Sequence, residues 1–145
     1  MTWTCPACDR EFAKRRAHFC APGMPLPVWL DERTPGQRRA AEAVLRVAKR
    51  VRGLVIEAVG VGVLIKRERT IVELRPKTKW LDMSFITAET IDDDRIARTL
   101  RWGANVAYFV HLTDAEDVDA IVRGWLRRAF AATPRRATAR RGTTR

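Results

Sequence analysis

The sequence predicts an α+β protein: an N-terminal zinc module tethered to one antiparallel sheet of four to five strands, with an N-terminal and a C-terminal helix packed on it. Three observations carry that reading. All three cysteines and one of the two histidines lie within the first 20 residues. Apolar residues recur at helical spacing over 35–51 and again before Pro134. Between these stretches the period changes to that of strands, and the connections are short enough to favour antiparallel pairs. The organisation that follows is a zinc module over 1–20, a Pro-rich linker over 21–34, an α+β domain over 35–132 and a disordered basic tail over 133–145.

The first module rests on Cys5-Pro-Ala-Cys8, a nine-residue spacer, and His18-Phe-Cys20. Three thiolates and one imidazole complete the tetrahedral shell that structural Zn2+ takes, and four protein ligands leave no open position for a catalytic water. The predicted metal ligands are therefore Cys5, Cys8, His18 and Cys20. The spacer is expected to make a turn and a short helix. His18 and Cys20 would diverge by about 200° on an ideal helix, so that helix must loosen near His18. Trp3, Phe12 and Phe19 are expected to cover the metal. The spacing differs from the two-Cys, two-His finger, so no DNA-reading helix is implied. A redox dithiol would need a preceding strand and a long following helix. A disulfide would leave one cysteine over.

Residues 21–35 contain four prolines and read as an extended tether, onto which Val28, Trp29 and Leu30 can anchor. Thr34-Pro35-Gly36-Gln37 is a capping box with proline at the first helical position, and Gly53 closes the helix. Strands are expected at 55–59, 61–65, 70–74, 80–86 and 104–112. Leu81, Met83 and Phe85 alternate with Trp80, Asp82 and Ser84, as in a sheet with one buried face. Asp92-Asp93-Asp94 before Arg95 to Arg98 reads as a short helix with acids at its start. Thr113-Asp114-Ala115-Glu116 reads as a second capping box. Val118, Ile121, Val122, Trp125, Leu126, Ala129 and Phe130 then form one helical stripe.

The chain has 145 residues and a formal net charge of +11. The last 13 residues carry five Arg and no acid, and they lack the apolar side chains to offset ordering entropy. No apolar run approaches the roughly 20 residues of a membrane span. Met-Thr-Trp-Thr-Cys lacks the pattern of a secretory signal, so a cytoplasmic, reducing location without a membrane partner is expected.

The stretch Leu74-Arg-Pro-Lys-Thr-Lys-Trp-Leu-Asp-Met-Ser-Phe, then Asp94-Arg95-Ile96, then Val110-His-Leu-Thr-Asp-Ala-Glu-Asp-Val-Asp resembles a bacterial family, domain-of-unknown-function family 5655. The resemblance covers roughly residues 36–132. Trp3 to Phe12, ending at His18-Phe-Cys20, resembles the short zinc segment that precedes this domain in some members. Asp9 departs from the glycine expected after the second cysteine, which bears on the turn and not on the ligands. The resemblance implies an α+β domain in a bacterial cytoplasm and no assigned activity.

No phosphate loop, nucleophile elbow or HExxH helix is present, and no catalytic residue is assigned. Gly60-Val-Gly62 reads as a hairpin turn or bulge. Three functions are compatible with the chain. The first is a nucleic-acid-associated zinc protein that contacts the phosphates of DNA or RNA through Lys14, Arg15 and Arg16 and the tail residues Arg135, Arg136, Arg140 and Arg141. The second is a protein–protein adaptor in which the zinc module and Trp29 dock a partner. The third is a small-anion-binding or enzymatic domain, in which Glu57, Lys66, Glu73, Arg75, Asp82 and His111 line the open face of the sheet. His111 shares its strand face with Ala107 and Phe109, so a core or edge histidine is its plainer reading.

Overall fold

The computed structural model describes residues 2–6, 11–15 and 23–132. Strands β1 (Trp3–Thr4) and β2 (Glu11–Phe12) form a two-stranded antiparallel ribbon. Then follow β3 (Gly23–Met24), α1 (Leu26–Asp31), α2 (Pro35–Lys49), β4 (Val55–Val59), β5 (Gly62–Lys66), β6 (Thr70–Pro76), β7 (Leu81–Thr87), β8 (Ile96–Trp102) and β9 (Asn105–Leu112). A 3-10 turn at Ala115–Asp117 leads to α3 (Ala120–Ala132). The main sheet has seven strands in the order β3-β4-β5-β6-β7-β9-β8, with every neighbouring pair antiparallel.

Helix α2 begins as its capping box dictates. Gln37 N donates to Thr34 Oγ1 at 3.2 Å, and Thr34 N donates to Gln37 Oε1 at 3.3 Å. Its stripe of Ala40, Ala41, Val44, Leu45 and Ala48 is buried. Helix α3 buries Val122, Trp125, Leu126, Ala129 and Phe130. Both helices share one core with Val63, Leu74, Leu81, Met83, Phe85, Tyr108, Val110 and Leu112 from one face of the sheet. The Trp125 ring stacks on Phe85, with centroids 5.7 Å apart. The β5–β6 turn also caps α3, because Arg67 Nη1 donates to the Phe130 carbonyl at 2.8 Å.

The structure corrects four expectations. The sheet has seven strands, not four to five. Part of the difference lies in the stretch expected to be a tether. Gly23–Met24 pairs with β4, and Leu26–Asp31 is helical with Trp29 fully buried. Proline sits at the start of α1, where its missing N–H costs nothing. Trp29 is therefore core and not a docking residue.

The other added strand is β8, where a short helix was expected. Asp93 Oδ1 accepts from Arg95 N at 2.9 Å, and Ile96 N donates to the Asp93 carbonyl at 3.0 Å. Asp93 thus makes a turn instead of a helix start. Gly103, with φ of 62°, then closes the two-residue β8–β9 hairpin.

The last helix also starts later than its sequence suggests. Asp114 and Asp117 cap the 3-10 turn, and Val122 N donates to Asp119 Oδ1 at 3.0 Å to start α3. Ile121 consequently faces outward and is 54% exposed. Among the described residues, no helix is long and apolar enough to cross a membrane.

Candidate nucleic-acid interface

Cys5 follows β1 directly and is buried, 4% exposed. Trp3 lies opposite Phe12, their ring centroids 5.9 Å apart. Thr4 lies opposite Glu11 in the antiparallel ribbon, with Cys5 directly after β1. The spacer was expected to be a turn and a short helix, yet Glu11–Phe12 is a strand. Cys8, Arg16, His18, Phe19 and Cys20 lie outside the described residues, and so do Arg135, Arg136, Arg140 and Arg141. Among the described residues no three potential metal ligands gather, as only Cys5 of the four predicted ligands is among them. A buried thiol suits one zinc ligand, and the full donor set is the one zinc prefers. Lys14 and Arg15 are exposed, and the Arg15 guanidinium lies 5.8 Å from the Trp3 ring.

The second group of residues occupies the sheet face away from α2 and α3. Cross-strand partners point to the same face, so register decides which side chains meet. Arg75 pairs with Asp82, and Asp82 with His111. In the next row Glu57, Leu64, Glu73, Ser84, Phe109 and Arg98 follow one another across β4, β5, β6, β7, β9 and β8. Lys66 donates to Glu57 at 3.0 Å. All six predicted face residues therefore lie on one side of the sheet.

They separate into two groups. Lys66 lies 5.8 Å from the Phe12 ring, so the N-terminal ribbon sits beside the Glu57–Lys66 pair. The β6-β7-β9-β8 end holds the rest. There a recess of about 250 Å³ is lined by Glu73, Arg75, Lys77, Asp82, Ser84, Arg98 and Phe109. Arg75 Nε donates to Glu73 at 2.7 Å. The Arg98 guanidinium lies over Phe109, 4.0 Å from the ring centre. Trp80 stacks on His111 with centroids 4.2 Å apart. His111 Nε2 is 3.8 Å from Asp82 Oδ1, a buried oxygen with no hydrogen-bond partner among the described residues. His111 itself is exposed on an internal strand, not a core histidine.

The loop at the end of β6 is held from below. Gln37, buried at the start of α2, donates through Nε2 to the carbonyls of Lys77 at 2.7 Å and Trp80 at 3.1 Å. Lys77 N also donates to the Trp80 carbonyl at 2.8 Å. The turn is thereby fixed, with Lys77, Thr78 and Lys79 at the surface. Lys77, Lys79 and Arg98 form no ion pair among the described residues.

Sequence reasoning missed Lys77, Lys79, Arg98, Phe109 and Trp102 as site residues. The signal was present in Arg98, Leu100 and Trp102, which alternate along one strand. It was hidden because 92–98 reads as a short helix and 99–102 receives no element. Leu100 is 51% and Trp102 63% exposed on this same face.

No protein-family model matches the chain, and no curated protein or solved structure is significantly similar to it. The resemblance to family 5655 rests on the quoted residues alone.

Proposed function

We propose that this is a small zinc-binding protein of the bacterial cytoplasm that associates with nucleic acid, mainly through phosphate contacts. Zn2+ would be held by Cys5, Cys8, His18 and Cys20 in a structural role, ordering a segment too small to have a core of its own. The observation that carries the nucleic-acid reading is that Lys77 and Arg98 line one recess of the open sheet face, where Arg75 is paired with Glu73 and Asp82 is the other acid. Lys77 and Arg98 make no ion pair among the described residues, so their charge remains for a polyanion. Each phosphate neutralised releases counterions, which makes such binding strong at low salt and steeply salt-dependent. The tail arginines add charge of the same sign without a surface to orient it.

The test is binding of a labelled duplex and a labelled single strand across a salt series. The full chain is compared with the double variant Arg75→Ala/Arg98→Ala and with a chain ending at Ala132. The reading expects the double variant to bind more weakly and with a shallower salt slope, while the shortened chain still binds at moderate salt. If binding disappears with the tail, or never survives physiological salt, the reading fails.

A further inference from the structure

We infer that the ligand of this face is a single-stranded nucleic acid, whose bases stack on the rings of the β8–β9 hairpin. The inference rests on the phosphate-binding reading above and specifies its substrate class. Cations alone would not distinguish one polyanion from another, but the rings here are arranged with them. On the open face, Trp102 projects beside Asn105 at the hairpin tip, and Leu100 follows beside Ala107. Arg98 and Phe109 come next as a stacked pair, followed by His111 with Trp80 against it. Same-face positions along a strand are about 6.8 Å apart. These residues therefore form an extended track from the hairpin tip to the Lys77–Lys79 loop.

A buried core does not explain the tip. Trp102 is 63% exposed and Leu100 51%, on a strand whose other edge is open. A large ring left in water on the same strand face as Arg98, with Lys77, Lys79 and Arg98 in no ion pair among the described residues, suits a partner with both flat apolar surfaces and negative charge. Unpaired bases on a phosphodiester chain meet both requirements. A duplex keeps its bases stacked on each other and offers this face chiefly its phosphates. Base–aromatic stacking is also tolerant of sequence, so low base specificity is expected.

The experiment measures anisotropy of a labelled single-stranded oligonucleotide and of its duplex, with the full chain and three variants. Trp102→Ala removes the exposed ring, Trp102→Phe restores one, and Arg98→Ala removes a cation. The expected result is single-strand binding at least tenfold tighter than duplex binding. Trp102→Ala should weaken it about tenfold with little change in salt slope, and Trp102→Phe should recover most of the loss. Arg98→Ala should lower the salt slope by about 0.7, the value for one single-strand phosphate contact. Thermal melting of each variant shows whether the sheet is intact.

Equal affinity for duplex and single strand, together with a neutral Trp102→Ala, overturns the inference. If Arg98→Ala still weakens binding in that case, the phosphate reading survives it. Full displacement by inorganic polyphosphate at equal phosphate concentration also overturns the single-strand inference, since polyphosphate offers no ring to stack. Absence of binding to any of these ligands at physiological salt overturns both.

Discussion

Gln37 and Trp80 are 43 residues apart in sequence, yet the Gln37 side chain donates a 3.1 Å hydrogen bond to the Trp80 carbonyl. The same amide nitrogen reaches the Lys77 carbonyl at 2.7 Å, while its oxygen accepts from Thr34 N. One residue thus completes the cap of α2 and fixes the basic loop at the end of the open face. Gln37→Ala removes the donor to the Lys77 carbonyl in a partly buried place, while the Trp80 carbonyl keeps only Lys77 N. The expected loss is about 1–3 kcal/mol, read from the urea midpoint. Gln37→Glu should destabilise as well, because a carboxylate cannot donate. A neutral result for both would mean that water replaces these bonds.

A second prediction concerns acid. Arg39 donates to both carboxylate oxygens of Asp114, at 2.8 and 2.7 Å, tying α2 to the turn before α3. Together with the Ala115 N–H, this holds the Asp114 carboxyl at about 2, below its ordinary 3.8. A lowered folded-state value stabilises the protein above the unfolded value, and that stabilisation is lost as pH falls through the folded one. Stability should therefore decline between about pH 4 and pH 2 on account of this group. In Arg39→Ala that part of the decline should shrink, while stability at pH 7 falls. Denaturant midpoints measured across this range decide it. Asp93, lowered chiefly by the Arg95 side chain, and Asp119, lowered chiefly by the Val122 N–H and also by Arg95, add to the same slope.

Two neighbouring glycines differ in what the packing around them requires. A Cβ on Gly62 would collide with the Leu74 carbonyl oxygen, whereas one on Gly60 would meet open space. Gly62→Ala must push β5 from β6 and should cost about 1–3 kcal/mol. Gly60→Ala should stay within about 0.5 kcal/mol. Equal effects in thermal melts would contradict this assignment.

Trp125→Ala should cost about 3–5 kcal/mol in chemical denaturation, as large-to-small core changes do. Trp125 is buried against Phe85 and lies under the Arg95 guanidinium, 5.3 Å from its ring. A loss below 1 kcal/mol would place the helix outside the core.

Metal analysis should find one zinc per chain, lost in Cys5→Ser and Cys20→Ser. The main sheet should keep its melting transition in both variants, because among the described residues the buried core cluster begins at Trp29, with Met24 and Leu26 packed against it. If the whole chain melts with zinc loss, the ribbon beside Lys66 is part of the main cooperative unit.

Much of this protein is determined locally. Thr34, Pro35 and Gln37 specify the start of α2 whatever surrounds them, since a capping box satisfies its own N–H groups. The alternation of Leu81, Met83 and Phe85 makes β7 one-sided, because successive side chains on a strand point to opposite faces. The spacing of Cys5, Cys8, His18 and Cys20 suggests a metal because the donor chemistry lies in the residues themselves. Tertiary structure decided what depends on neighbours. Gly23–Met24 is a strand only because β4 offers an edge, and Trp29 is core only because the sheet and α2 receive it. Ile96–Trp102 has acids before it that suit a helix, but Asp93 turns the chain and β9 supplies the backbone partners. The candidate face is likewise a property of register. Arg75, Asp82 and His111 come from three strands, and a slip of one residue would send each to the other side.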